Sequence, residues 1–396
     1  MNNTKKIDYN GLMDHLLSVE MHALITTGRT GSDFFQSLCD SHSQIITFNG
    51  ILWLHNFWED SMCVKSSNML LPDLVKEFTG KNIEKLKSKY DLFERKEALG
   101  VNKDKSVNID IISFENHVIN LLYGRDVNSK NFLLAVYGAY SLSLNQNVLN
   151  KKIVLHHIHH AEKLPLFLSD FPDSNIICMT RDPRANFLSG VTHWRKYNNK
   201  FDHAHHLYNY LKRIVMDSYS IRHYNNDYIV IRLEDLGKKC TLESFCEWAK
   251  IKYEDSLMKS TWAGLLWQGD RCSAKKNEGS GWSANMLDNK WQIKLTFIDK
   301  YLINFLLNSR LKHYGYDYTK IRLIDYLIVP LLIPLPLSLE ARYFSLSYFS
   351  KSIKSKDYSK LLKAFVFYPK RVAYFYAIYI DILRGFNFDS NFLKCK

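Results

Sequence analysis

The sequence predicts an α/β protein with a central parallel sheet flanked by helices. Three apolar runs predict it, because each leads into polar residues and then into a helix-like pattern: 22–28 (HALITTG), 151–157 (KKIVLHH) and 176–179 (IICM). A further strand is expected over 227–236 (DYIVIRLEDL). Strands that alternate with helices in this way form parallel sheets whose two faces are covered.

Helical patterns fill the stretches between the expected strands. Residues 32–40 place Phe34, Phe35 and Leu38 at helical spacing directly after the first strand. A helical insert is expected over about 55–150, with a lysine-rich face that we interpret as solvated. Together these elements predict an α/β domain over residues 1–320.

Residues 321–396 differ in composition from the rest of the chain. They are rich in Tyr, Phe and Leu, and they contain twelve Lys and Arg against five Asp and Glu. Such a helical region either packs on the main domain or lies on an anionic membrane surface, and the sequence leaves both readings open. The apolar stretch 326–337 is interrupted by three prolines and is shorter than the about 20 residues that a membrane span needs.

Charge and cysteine content narrow the partners and the compartment. The net charge of +13 predicts an anionic partner. The motifs below indicate a nucleotide cosubstrate, and the tail suits an anionic membrane surface. No nucleic-acid partner is expected. The seven cysteines include no CxxC pair, so we expect reduced, buried thiols. The first residues contain no long apolar segment of the secretory kind. The expected location is the cytoplasm, peripherally at the inner face of the membrane.

The first candidate site is the loop TTGRTGSD (26–33), which follows the first strand. Its glycines, Gly28 and Gly31, allow the backbone to curl so that amides converge at the start of a helix, where anions bind. Arg29 adds a positive charge with a bidentate fork. The expected binding positions are Thr27, Gly28, Arg29, Thr30, Gly31, Ser32, Asp33 and Phe34. A tight turn of purely structural purpose is the alternative.

This loop departs from the pattern of nucleotide triphosphatases. That pattern, GxxxxGK[ST], supplies a lysine for the β- and γ-phosphates and a hydroxyl for Mg²⁺. Here Asp33 follows Ser32, and no lysine occupies the corresponding place. The departure disfavours a metal-dependent ATPase, and we expect no metal in the site.

The second candidate site follows the run 176–179. Arg181 comes directly after the expected strand, Asp182 and Pro183 suit a helix start, and Ser189 lies about two turns further on. Arg181 and Ser189 together suit a second phosphate. A salt bridge at the strand end is the alternative reading for Arg181.

The motifs resemble those of the sulfotransferases that use 3′-phosphoadenosine 5′-phosphosulfate (PAPS). TTGRTGSDFFQSLCDSH looks like the family's 5′-phosphosulfate loop, MTRDPRANFLSG like its 3′-phosphate motif, and YIVIRLEDL like the strand that often follows. KKNEGSGW (275–282) is a weaker match to the loop that covers the nucleotide. The four motifs occur in the family's order over residues 22 to about 290. They are most similar to the motifs of the bacterial, carbohydrate-type branch. The resemblance implies a P-loop-like fold.

The resemblance also implies a role for each matched position. Arg29 matches the basic residue at the bridging oxygen and the leaving 5′-phosphate, and residues 30–33 match the amide cradle. Asp33 departs from the usual threonine, so its side chain is expected to point away from the anion. The implied 3′-phosphate and covering-loop ligands are Arg181, Ser189, Lys275 and Lys276. Asn277 replaces the family's glycine in that covering loop.

A hydroxyl acceptor needs a base, and LHHIHHAEK supplies candidates. Histidine accepts a proton near neutral pH, and His157 and His159 share one face if the segment is a strand. In the resembled family a histidine after this strand is often the base, which favours His159 and then His157. The alternatives are that these histidines, His156 and His160 included, are structural, or that Glu162 or Glu115 is the base.

The expected activity is transfer of a sulfuryl group from PAPS to a hydroxyl, with 3′,5′-ADP as product. The acceptor is expected to be a glycan or glycolipid. Two alternatives stay open: a P-loop nucleotide kinase or phosphotransferase, and a non-catalytic module that binds anions or a membrane surface.

Overall fold

The structure is a computed structural model of the 396-residue chain. It describes residues 7–48, 50–64, 69–86, 99–197, 202–268, 281–283, 286–287 and 290–395. The strands in these ranges are β1 (Glu20–Thr26), β2 (Ile45–Thr47), β3 (Ile153–His159), β4 (Asn175–Thr180), β5 (Tyr228–Arg232), β6 (Thr261–Trp262) and β7 (Leu265–Leu266).

Helices surround these strands in the described part of the chain. In the first half they are α1 (Tyr9–Ser18), α2 (Ser32–Cys39), α3 (Leu54–Val64), α4 (Leu71–Leu86), α5 (Ile111–Leu122), α6 (Ser129–Ser143), α7 (Leu164–Asp170) and α8 (Pro183–Tyr197). In the second half they are α9 (Ala204–Met216), α10 (Lys239–Trp248), α11 (Trp291–Lys294), α12 (Phe297–Leu306), α13 (Asn308–His313), α14 (Asp325–Leu332), α15 (Ser338–Ala341), α16 (Leu346–Lys354) and α17 (Tyr358–Leu383). Short 3-10 turns join several of them.

The sheet confirms the predicted parallel α/β class. Among the described residues, five strands pair in the order β2-β3-β1-β4-β5, and every pairing is parallel. Strand β1 is buried on both faces after its first residue, which explains its unbroken apolar sequence. Helix α2 connects β1 to β2, and helices also carry the chain from β2 to β3, from β3 to β4 and from β4 to β5. The short hairpin of β6 and β7 stands apart from this sheet.

One apolar core joins the sheet to the helices of the first half. It includes buried residues of β1, β3 and β4 together with residues of α1, α2 and the helices between β2 and β3. Aromatic rings of these helices meet edge to face: Phe57 lies 5.3 Å from Phe78, and Phe78 lies 5.6 Å from Phe132, between ring centroids. The described helices of this region, α3 to α6, therefore pack as a layer on the sheet.

A second apolar core joins the C-terminal helices to α8, α9 and α12. Phe187, Leu211 and Leu302 from these three helices share it with Ile333 and Phe375 of the tail. The tail therefore packs on the helices that follow β4. This is the first of the two alternatives that its composition left open.

Prolines shape the docking of the tail. Pro330 has no N–H, so the carbonyl of Tyr326 loses its helical partner, and the Tyr379 hydroxyl donates to that carbonyl at 2.7 Å. Pro334 affects the carbonyl of Pro330 in the same way, and the Tyr376 hydroxyl donates to it, also at 2.7 Å. Tyrosines of α17 thus satisfy the acceptors that prolines leave open in α14 and the turn after it.

A buried ion pair holds the same helices together. The Arg371 guanidinium of α17 is fully buried and donates to the Glu340 carboxylate at 2.8 Å. It also donates to the carbonyls of Ile333 and Leu335, the latter at 3.0 Å. Because the charge is paired and its remaining N–H groups have acceptors, its desolvation cost is offset.

The end of the chain is attached to the edge of the sheet, and it corrects the cysteine prediction. Val230 of β5 donates to the Asn391 carbonyl at 2.8 Å and accepts from the Leu393 N–H at 2.9 Å. This alignment brings Cys395 to Cys240 of α10, and the two form a disulfide across 155 residues. The expectation of reduced thiols is wrong for this pair, because only the fold brings the two together. Cys39, Cys178 and Cys246 are buried and unpaired, as expected.

In the described ranges, no helix combines the length and the apolar character that crossing a membrane requires.

The disulfide gives a test of how the tail contributes to stability. A reductant should lower the free energy of unfolding by about 2–4 kcal/mol, since the bridge restricts the unfolded chain. Guanidinium titrations with and without reductant would measure the difference. The variant Cys395→Ser is the control, because reductant should cause no further loss in it. Equal stability of the oxidised and reduced wild-type protein would contradict the prediction.

Candidate active site

The turn after β1 is tight because its backbone is left-handed at three residues. The φ angles of Gly28, Arg29 and Gly31 are 90°, 54° and 88°. A Cβ atom on Gly31 would lie 2.5 Å from Cδ1 of Leu233, so both conformation and packing require glycine there. Arg29 adopts the same conformation without being glycine, which costs energy and is frequent at functional sites.

Helix α2 begins at this turn without a side-chain cap. Gly31 is its N-cap residue, and no side chain accepts a hydrogen bond from the first turn. Side chains cap α1, α5, α6, α9, α12 and α16, whereas α10, α14 and α17 also begin without one. The first N–H groups of a helix have no intrahelical partner and carry the positive end of its dipole. The start of α2 therefore offers donors for an anion.

Side chains from α8 and α9 hold the turn in place. Asn186 donates from Nδ2 to Oγ1 of Thr27 at 2.9 Å. The Tyr210 hydroxyl shares its hydrogen between the Gly28 carbonyl at 2.8 Å and the Asn186 carbonyl oxygen at 2.5 Å. A Cβ atom on Gly190 would lie 2.0 Å from Cζ of Tyr210, so the helix can approach the ring only with glycine there.

Two threonine hydroxyls of the loop make hydrogen bonds within the loop itself. Thr26 accepts a hydrogen bond from the Gly28 N–H at 3.0 Å, and the hydroxyls of Thr26 and Thr30 bond to each other. Thr30 is fully buried. Its hydroxyl therefore makes a hydrogen bond within the turn. Ser32 and Phe34 lie in the first turn of α2, both largely buried.

Arg181 lies beside the first loop, as expected from the ends of adjacent parallel strands. Its Nη1 donates to the Arg29 carbonyl at 3.4 Å and its Nη2 to the Met286 carbonyl at 3.1 Å. Asp182 caps α8, because its Oδ1 accepts from the Arg184 N–H at 2.9 Å. The two candidate motifs thus form one site at the ends of β1 and β4.

The remaining predicted nucleotide ligands lie on the same side or outside the described residues. Ser189 lies on α8 next to Gly190, half-buried, and in the described part of the chain it makes no direct contact with Arg181. Lys275 and Lys276 lie outside the described residues. Trp282 is among the next residues that the structure describes, and its Nε1 donates to the Leu233 carbonyl at 3.2 Å. The last residue of the expected covering loop therefore contacts Leu233, which also lies against Gly31.

Histidines at the end of β3 flank the loop from the other side. His159 is aligned with Ile25 of β1 and has a φ angle of 75°, so it too is left-handed. Its Nδ1 lies 3.2 Å from Nε2 of His157, whose Nδ1 lies 2.9 Å from Oε1 of Gln36. As the alternation of a strand predicts, His157 and His159 lie on one face.

Burial keeps the rings of His159 and His160 neutral. It lowers the pKa of His159 well below its usual range, and the positive charge of Arg213 adds to the effect. Burial lowers the pKa of His160 to about 3. Near neutral pH both rings therefore carry no charge.

The structure separates the other proposed bases from this role. His156 is buried, bonds to the Tyr137 hydroxyl at 2.8 Å and stacks on Phe167, so it is a structural residue. Burial raises the pKa of Glu162, but Arg213 at 2.7 Å outweighs it and keeps the pKa below its usual range. Glu115 accepts from the Thr79 hydroxyl at 2.5 Å within the helical layer.

Four residues of the site were missed by sequence reasoning: Gln36, Asn186, Tyr210 and Arg213. Burial raises the pKa of Tyr210, whereas the charges of Arg29, Arg181 and Arg213 act on it in the opposite direction, which places three guanidinium groups around one ring. Only Asn186 could have been noticed in the sequence, because it lies four residues before Gly190 and therefore on the same face of α8. The others lie on helices that reach the loop through tertiary packing alone.

The sheet topology explains why the site is at this position. The chain leaves β1 toward one edge of the sheet and leaves β4 toward the other, so the crevice at their carboxyl ends is a switch point, where α/β proteins bind ligands. No family model, curated protein or solved structure matches this chain.

The contribution of Tyr210 to the loop can be measured. Replacing it by phenylalanine removes the donor to Gly28 and Asn186, and the free energy of unfolding should fall by about 1 kcal/mol. Tyr208→Phe on the same helix is the matched control, since that hydroxyl bonds to none of the described residues. Urea denaturation would measure both variants. Equal losses would contradict the assigned role.

Proposed function

We propose that this chain is a PAPS-dependent sulfotransferase of P-loop-like architecture that acts on a hydroxyl of a glycan or glycolipid. One observation carries the proposal: an uncapped helix start, the paired motifs of Arg29 and Arg181, and neutral histidines meet at the ends of three adjacent strands. These are the groups that transfer of an anionic group to a hydroxyl requires.

In this proposal each anionic group of PAPS has its own set of donors. The backbone N–H groups of residues 30–34 hold the 5′-phosphosulfate, and Arg29 adds the charge that stabilises the leaving phosphate. Each such donor contributes roughly 3 kcal/mol by analogy with oxyanion holes. Arg181 and Ser189 receive the 3′-phosphate. Lys275 and Lys276 keep their role in the covering loop on the strength of the resemblance alone.

The reaction is an in-line displacement at sulfur. The acceptor oxygen forms a bond to sulfur as the bond between sulfur and the bridging oxygen breaks, and 3′,5′-ADP leaves with that electron pair. His159 takes the proton of the acceptor hydroxyl, and His157 supports it. Sulfuryl transfer resembles phosphoryl transfer in its loose transition state, so positioning and charge stabilisation supply most of the catalysis.

Two other readings make different predictions. A P-loop kinase or phosphotransferase would require Mg²⁺, and the absence of a Lys-Ser/Thr pair after Gly31 disfavours it. A non-catalytic module that binds anions or membranes would need no base beside the loop, whereas neutral histidines lie there. Independence from metal stays a prediction, and activity that survives a chelator would support it.

Calorimetry with two nucleotides separates these readings. We expect 3′,5′-ADP to bind with micromolar affinity and ATP–Mg to bind more weakly. Arg29→Ala and Arg181→Ala should each weaken 3′,5′-ADP binding by about 10- to 100-fold, since a hydrogen bond to a charged group contributes about 1.5–3 kcal/mol.

The control for this experiment is Arg384→Ala, an exposed arginine at the end of α17 whose loss should leave binding unchanged. A preference for ATP–Mg would favour the kinase reading. Failure of both nucleotides to bind would leave the non-catalytic reading.

We also propose that the tail contacts an anionic membrane surface that presents the acceptor. Leu323, Leu327, Leu331 and Leu335 recur every fourth residue along α14 and its flanks, with exposed fractions of 89%, 68%, 76% and 41%. Such spacing places them in one stripe on the outside of the molecule. Lys320 and Arg322 precede the stripe and are exposed, which suits anionic headgroups.

The proposed location is the inner, cytoplasmic face of the membrane. The Cys240–Cys395 disulfide is evidence against it, because disulfides are rare in reducing compartments. Alkylation of these thiols in intact cells tests the location: if the pair is protected from the reagent, the cytoplasmic side is wrong.

Vesicle flotation tests the stripe. The protein should float with vesicles of phosphatidylserine and phosphatidylcholine at low salt, and less so with phosphatidylcholine alone. The double variant Leu327→Glu, Leu331→Glu should lose most of this binding. Ile112→Glu is the control, because Ile112 is equally exposed on α5. Flotation that the double variant retains would rule out this surface.

A further inference from the structure

A chain of hydrogen bonds from α2 to the end of β3 determines which nitrogen of His159 carries its proton. We propose that Gln36 and His157 fix His159 as the Nδ1–H tautomer, so that Nε2 accepts the proton of the attacking hydroxyl, and that Asp33 balances the resulting charge. The catalytic use of this nitrogen rests on the proposed function, whereas the tautomer itself does not.

The orientation of the Gln36 amide is fixed by its neighbours. Its Nε2 lies 3.2 Å from the Phe48 carbonyl and 3.5 Å from the Gly50 carbonyl, and these oxygens can only accept. The Gly50 N–H can only donate, and it lies 3.2 Å from Oε1. The atom that faces His157 is therefore an oxygen that accepts a hydrogen bond.

The proton positions of both histidines follow from that oxygen. Since Oε1 of Gln36 only accepts, Nδ1 of His157 must carry a hydrogen. Nε2 of a neutral His157 is then an acceptor, so the Nδ1 of His159, 3.2 Å away, must donate to it. The Nε2 of His159 is left without a hydrogen and can accept one.

The position of His159 suits this use. His159 itself has a left-handed backbone and stands at the end of β3, beside the loop that begins after β1. Trp53 meets the ring edge to face with centroids 6.4 Å apart. Among the described residues, the only hydrogen-bond partner of the His159 ring is His157 on the Nδ1 side, and the His160 ring lies beside it with centroids 4.2 Å apart.

Asp33 places a carboxylate at one end of this chain of hydrogen bonds. Its Oδ1 lies 3.6 Å from Nδ1 of His157, and the carboxylate is one-third exposed. When His159 takes a proton, the histidine pair becomes positive, and Asp33 is the carboxylate that faces it. His160 and Arg213 act in the opposite direction, and Glu162 is paired with Arg213. This explains why an aspartate occupies the place of the family's usual threonine.

The proton count of the step is balanced. Nε2 of His159 takes the hydroxyl proton as the acceptor oxygen bonds to sulfur, and the ring becomes an imidazolium with both nitrogens protonated. The Nδ1 proton stays in its hydrogen bond to His157. After 3′,5′-ADP leaves, Nε2 returns its proton to water and the starting tautomer is restored.

Nitrogen NMR on the wild-type protein tests the tautomer without any substrate. In protein labelled with ¹⁵N-histidine, the Nδ1 of both His157 and His159 should be protonated and both Nε2 atoms should be bare at neutral pH. His159→Asn assigns the signals. A protonated Nε2 on neutral His159 would overturn the proposal, even if 3′,5′-ADP binds as expected.

Two variants test the positioning residues. Gln36→Met removes the acceptor, so the His157 and His159 signals should show mixed tautomers while 3′,5′-ADP binding stays within about threefold. Gln146→Met, remote from the site, should change neither. Asp33→Asn should lower the apparent pKa of the histidine pair, because it removes the facing negative charge. Unchanged tautomers in Gln36→Met, or an unchanged pKa in Asp33→Asn, would remove that residue from the proposal.

Discussion

The parallel pairing of β1 between β3 and β4 is the constraint on which the rest of the site depends. Because parallel strands end at the same edge of a sheet, the loop after β1 must lie between the histidines after β3 and the arginine after β4. The opposite directions in which the chain leaves β1 and β4 open a crevice at that edge. The turn after β1, Arg181 and the histidines of β3 therefore meet at one edge of the sheet.

The loop and the tail are connected through the same two helices. Asn186 and Tyr210 hold the turn from α8 and α9, and apolar residues of the same helices, Tyr210 among them, form the second apolar core with the tail. The tail in turn depends on two tyrosine hydroxyls that satisfy carbonyls freed by prolines and on the Arg371 guanidinium, which donates to the Leu335 carbonyl. Polar groups inside the tail therefore help to define where α8 and α9 stand, and through them the shape of the loop.

The electrostatic character of the site follows from burial as much as from charge. The charges of Arg29, Arg181 and Arg213 act on Tyr210, yet His159 and His160 remain neutral because burial, together with the charge of Arg213, lowers their pKa. A neutral imidazole in a cationic crevice can accept a proton without competing for the anion. The hydrogen bonds of Gln36 then decide which ring nitrogen is available.

The sequence by itself determined the parallel α/β class, the loop with Gly28 and Gly31, and the ends of β3 and β4 as sites, because apolar periodicity and glycine conformation are local properties. It did not reveal Gln36, Asn186, Tyr210 or Arg213, nor the pairing of Cys240 with Cys395. These lie far apart in the chain or on helices whose inward faces look like ordinary core, and only tertiary packing brings them to the loop or to each other. The tertiary structure also turned the Thr30 hydroxyl inward and brought Asp33 to His157, since side-chain direction depends on neighbours that the local sequence does not contain.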